Sequence, residues 1–124
     1  MYEVRVEDEF AGAHRLRDYA GKCERLHGHN WKIAASVAGR KLGPNGLLID
    51  FHDLRRALSD VLKVFDHAYL NDVGWFKTRN PSSENIARYV FLKLGAALKG
   101  HRGIGVSEVT VWENGRQSAS YRKG

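Results

Sequence analysis

The sequence predicts an α+β fold: a four-stranded antiparallel sheet with two helices on one face, in the order β-β-α-α-β-β. Three observations carry this: apolar residues alternate with polar ones near both ends of the chain, two stripes at helical spacing lie between them, and turn-forming clusters separate the segments. Tyr2, Val4 and Val6 alternate with Glu3, Arg5 and Glu7, predicting a first strand to about Ala11. A polar, irregular stretch covers Arg15 to Lys22. A second strand is expected from about His27 to Gly39, with Trp31, Ile33, Ala35 and Val37 on one face. Past Gly43-Pro44-Asn45-Gly46, Asp50 can cap a helix over Phe51 to Phe65, whose stripe is Phe51, Leu54, Leu58, Val61, Leu62 and Phe65. Asn80-Pro81-Ser82-Ser83 opens a second helix with a stripe of Ile86, Val90, Phe91, Leu94 and Leu98 and an end at Gly100. Two strands close the chain, about Gly105 to Glu113 and Ser118 to Arg122, across the turn Asn114-Gly115. Four strands leave two free edges, and pairing with another copy of the chain is one way to cover them.

The 124 residues are read as one domain, residues 1–124, with an ordinary balance of 43% apolar and 27% charged residues. No stretch approaches the roughly 20 apolar residues of a membrane span, and the charged, alternating start lacks a signal-peptide core, so a cytoplasmic protein is expected. A single cysteine cannot form an internal disulfide, in keeping with a reducing compartment. The net charge of +6 favours an anionic partner. The basic residues are dispersed, which fits a solvated basic surface first and, as a functional reading, a phosphorylated small molecule ahead of nucleic acid.

Chemistry concentrates in Cys23-Glu24-Arg25-Leu26-His27-Gly28-His29. Two histidines one residue apart on a strand share a face with alpha carbons about 6.6 Å apart, so His27 and His29 can converge on one cation, with His14 upstream as a third ligand. Three histidines leave a tetrahedral zinc ion open for water or substrate; Cys23 either closes the site as fourth ligand or stands beside it as a free thiol. Lys22 and Arg25 flank that thiol, and positive neighbours favour the thiolate. Further along, Asp66-His67 has the composition of a proton-transfer pair. Glu113, ending a strand, can present a carboxylate to a guanidine-like edge such as that of a pterin. Glu84 suits the first turn of its helix on dipole grounds alone. His52 and His101 have no partner at ligand spacing and are read as surface or structural.

These residues fall in a recognisable order. Phe10-x-x-Ala13-His14, Cys23-x-x-x-His27-Gly28-His29-Asn30, Asp50-Phe51-x-Asp53-Leu54, Asp66-His67-x-x-Leu70-Asn71 and Pro81-x-Ser83-Glu84-Asn85 resemble the 6-pyruvoyltetrahydropterin synthase family, most closely its bacterial 6-carboxytetrahydropterin synthase branch in 7-deazaguanine and queuosine biosynthesis. The resemblance implies a T-fold whose sheets join into a barrel, active sites between subunits, and one zinc ion per subunit on His14, His27 and His29. It implies Cys23 as proton acceptor, Asp66 and His67 as relay, Glu113 as anchor of the pterin, and Ser83 and Glu84 in the pterin pocket. The implied substrate is 7,8-dihydroneopterin triphosphate, converted to 6-carboxy-5,6,7,8-tetrahydropterin with loss of triphosphate and acetaldehyde. A pyruvoyl-forming reaction that keeps all side-chain carbons is the alternative, and a zinc-stabilised nucleic-acid module a more distant one. One departure from the family pattern is Asn114, where a threonine or serine is expected after the glutamate.

Overall fold

Small and β-branched residues alternate along 27–39, and this stretch becomes a central strand. The computed structural model describes residues 1–19, 21 and 23–124. Its elements are β1 (Tyr2–His14), β2 (His27–Gly39), α1 (Phe51–Leu62), β3 (Ala68–Tyr69), two 3₁₀ turns (Leu70–Asp72 and Gly74–Phe76), α2 (Ser83–Ala97), β4 (Ile104–Asn114) and β5 (Gln117–Arg122). The sheet has five strands rather than four, in the order β3-β1-β2-β4-β5. The extra strand is a two-residue parallel pairing of Ala68 and Tyr69 with Gly12 and Ala13, too short to produce an alternating pattern in sequence. β1 also runs past Ala11 to His14, because Gly12 and Ala13 pair with His29 and Gly28 although they carry no apolar signal.

Both helices begin where a side chain takes up a free backbone N–H. Asp50 accepts from His52 N at 2.8 Å, and Ser82 accepts from Asn85 N at 3.2 Å. Leu54, Leu58 and Leu62 of α1 and Ile86, Val90 and Leu94 of α2 pack onto Val6, Phe10, Trp31, Ile33, Val37, Val109 and Val111 of the sheet. Phe51 departs from its predicted stripe: it is 62% exposed at the first position of α1, before the helix lies down on the sheet. Helix α1 ends at Leu62, yet Phe65 stays fully buried in the turn that follows. Helix α2 ends at Ala97, before the expected glycine stop. The opposite face of the sheet is polar; there Lys32 pairs with Glu7 at 3.5 Å and lies over the Trp112 ring. No described helix is long and apolar enough to cross a membrane.

The topology gathers three strand ends at one end of the sheet. Antiparallel pairing places His14, the last residue of β1, opposite His27, the first of β2. On the other side of β2, Trp112 of β4 pairs with Lys32, so the end of β4 lies beside His29. Trp112 pairs with Ser118 and Asn114 with Gln117, which leaves Glu113 as an extra, unpaired residue in a bulge. A bulge of this kind re-aims the side chain it carries. Asn114 closes the adjoining turn, its Oδ1 accepting from Arg116 N at 2.8 Å and Gln117 N at 3.1 Å.

Candidate active site

The strand ends bring four side chains to one point. Ligand atoms of His14, His27, His29 and Glu113 all lie within 4.8 Å of one another. His14 donates from Nδ1 to the Pro81 carbonyl at 2.7 Å, and His27 donates from Nδ1 to the Arg25 carbonyl at 2.7 Å. A carbonyl can only accept, so each Nδ1 carries a proton and each Nε2 is turned inward. The two Nε2 atoms are 3.0 Å apart. Two ring nitrogens at that distance need a proton or a metal ion between them. For comparison, nitrogen ligands on a tetrahedral metal at about 2.0–2.1 Å are about 3.3 Å apart.

His29 points the same way. Its Nε2 is buried and makes no hydrogen bond among the described residues; Glu113 Oε1 is 3.0 Å away, but the contact falls outside hydrogen-bond geometry. Burial, more than any neighbour, pushes the His29 pKa below its ordinary value; Glu113 opposes the shift, and the His27 and His14 rings add to it. A neutral imidazole is the form that binds metal. Glu113 Oε1 also lies 3.2 Å from His14 Nε2 and 3.8 Å from His27 Nε2. An inward nitrogen with no described partner, two opposed ring nitrogens and a facing carboxylate together fit a divalent metal held by nitrogen and oxygen donors.

Asp66 and His67 stand at the neighbouring edge. His67 has φ 57°, a left-handed conformation that costs a non-glycine residue about 1–3 kcal/mol, and its N–H donates to the Ala11 carbonyl at 2.6 Å. This backbone places the ring outward, 83% exposed, with Nδ1 3.1 Å from Asp66 Oδ1. The same Asp66 oxygen accepts from Ala11 N at 3.1 Å, and that bond, ahead of the His67 ring, holds the Asp66 carboxyl below the usual carboxylate range. Its stabilisation is present above the unfolded pKa and is lost as pH falls through the lower folded one. Asp66 thus stays ionised near neutrality with its carboxylate beside His67 Nδ1. His67 and His29 line one open groove of about 570 Å³, floored by Ala11, Gly12 and Gly28.

Cys23 is an exposed free thiol and is not one of the four converging residues. Its flanking Lys22 lies outside the described residues. Ser83 is half-buried and Glu84 exposed in the first turn of α2, two and three residues beyond the Pro81 carbonyl that holds His14. Glu113, read from sequence as a carboxylate facing a pocket, lies beside the three histidines. His101 lines a separate groove between α1 and α2, far from this chemistry.

The family model described as 6-pyruvoyl tetrahydropterin synthase matches residues 3–124. The chain belongs to the 6-pyruvoyl tetrahydropterin synthase family. It is 35% identical over 127 residues to the 6-carboxy-5,6,7,8-tetrahydropterin synthase of Synechocystis sp., covering 98% of this chain and 93% of that one. The Haemophilus influenzae protein of the same name is 26% identical and is covered in full, against 99% of this chain. Among solved structures, the Caenorhabditis elegans 6-pyruvoyl tetrahydropterin synthase superposes with a TM-score of 0.84 at 27% identity, covering 99% of this chain and 96% of that one. The architecture is the T-fold of this family of enzymes.

Proposed function

We propose that the chain is a zinc-dependent lyase that converts 7,8-dihydroneopterin triphosphate to 6-carboxy-5,6,7,8-tetrahydropterin, releasing triphosphate and acetaldehyde in cytoplasmic 7-deazaguanine and queuosine biosynthesis. The observation that carries this reading is the convergence of His14, His27, His29 and Glu113 beside the Asp66–His67 pair, in a chain whose relatives include named 6-carboxy-5,6,7,8-tetrahydropterin synthases. His14, His27 and His29 would hold the zinc, leaving its fourth position to the substrate. When bound, the ion polarises the hydroxyls of the pterin side chain and makes their protons and the adjoining C–H more acidic.

The protein's own groups move those protons. Cys23 is the acceptor for a side-chain proton, and His67 exchanges protons at Nε2 while Asp66 keeps Nδ1 protonated and the ring oriented. Gripping the aminopyrimidinone edge takes both oxygens of a carboxylate. Glu113 would anchor that edge, with Ser83 and Glu84 lining the pterin pocket. Among the described residues the outer edge of β1 has no strand partner from Tyr2 to Phe10, and β5 is the other edge strand. Joining these edges between copies would close a barrel and place one subunit's Asp66–His67 against the next subunit's site.

The direct test is to incubate zinc-loaded protein with 7,8-dihydroneopterin triphosphate and identify the products by mass. One acetaldehyde per 6-carboxytetrahydropterin is expected. A product that keeps all three side-chain carbons would assign the pyruvoyl-forming reaction instead.

A further inference from the structure

Residues 15–17 belong to no helix or strand, yet all six of their backbone N–H and C=O groups are hydrogen-bonded. The Asn71 amide pairs with Arg15 as a peptide unit would: Oδ1 accepts from Arg15 N at 3.0 Å and Nδ2 donates to Arg15 O at 2.9 Å. Asn80 does the same to Arg17, at 2.7 and 3.0 Å. Between them, Leu16 N donates to Glu24 Oε1 at 3.2 Å, and Glu24 N donates to Leu16 O at 2.8 Å. A side-chain amide carries both a donor and an acceptor, so each asparagine alone satisfies both backbone groups of its partner residue.

Each partner leads into a different part of the site. Arg15 follows the metal ligand His14, and Glu24 follows Cys23. Asn71 lies four residues beyond His67 and is 5% exposed. Asn80 precedes Pro81, whose carbonyl receives the His14 ring, and its own carbonyl accepts from Asn85 Nδ2 in α2 at 2.9 Å. We propose that Asn71 and Asn80 are positioning residues that clamp Arg15–Arg17, so that the His14 ligand, the Cys23 loop, the Asp66–His67 turn and the start of α2 are held as one unit. The assignment of catalytic roles to those parts rests on the function proposed above; the clamp itself rests on the hydrogen bonds. A loosened clamp misplaces reacting groups without removing any of them, and a displacement of about 1 Å can cost about a hundredfold in rate.

The test compares Asn80→Ala, Asn80→Asp and Asn71→Ala with the wild type in amide hydrogen exchange, zinc content and steady-state kinetics. Asn80→Ala is expected to accelerate exchange about tenfold or more at the Arg17 amide and also at the Arg15, Leu16 and Glu24 amides, which Asn80 does not touch. Zinc remains stoichiometric, kcat falls about tenfold to a hundredfold, and KM stays within about twofold. Asn80→Asp, which keeps the acceptor and loses the donor, recovers part of that kcat. Exchange confined to Arg17, or an unchanged kcat, overturns the clamp. Asn71 is buried, so should Asn71→Ala fail to fold, the half-buried Asn80 decides. If the wild type does not turn over 7,8-dihydroneopterin triphosphate, the proposed function fails, while the spread of exchange still judges the clamp.

Discussion

Replacing His29 with alanine is expected to abolish stoichiometric zinc binding. His29 Nε2 is a buried nitrogen with no hydrogen-bond partner among the described residues, and a metal ion at that point would take its lone pair. Loss of a residue that merely orients a ligand costs about 10–100-fold in metal affinity, so loss of a ligand should exceed about 100-fold. The effect is visible without a turnover assay. Zinc at 100 times its dissociation constant stabilises a folded protein by about 2.7 kcal/mol, which for a domain of this size raises Tm by several degrees. The wild type should show that shift on adding zinc and His29→Ala should not, in calorimetry or thermal fluorescence. An equal shift in both proteins would place the ion elsewhere.

Replacing Cys23 with alanine is expected to do the reverse: turnover falls by about 10²–10⁴ while zinc content and Tm hold. Cys23 is exposed and outside the converging set, so truncating it leaves no cavity and removes no ligand. Parallel measurement of kcat and of metal by mass spectrometry checks this. Zinc lost in proportion to activity would mean that the thiol is a ligand.

How much of this was legible in sequence differs between parts of the site. His27 and His29 lie on the buried face of β2 because the two-residue period that orders Trp31, Ile33 and Val37 extends back to them. The helical stripes were equally readable, except at Phe51, where the pattern continues past the point at which the helix meets the sheet. Glu113 was harder. It is remote in sequence from the histidines, and its aim depends on a bulge that the apolar alternation of Val109, Val111 and their neighbours does not encode. The carbonyls of Pro81 and Arg25 that fix two histidine tautomers carry no residue signature at all. Asn71 and Asn80 were visible as letters but not as a pair, since what unites them is an irregular segment that each meets from a different loop.

The central claim is a zinc centre of three histidines open to substrate, with Cys23 beside it and unbound. X-ray absorption at the zinc edge of the loaded protein tests this most directly. The account requires nitrogen and oxygen scatterers alone at about 2.0–2.2 Å, and a sulfur scatterer at about 2.3 Å would contradict it.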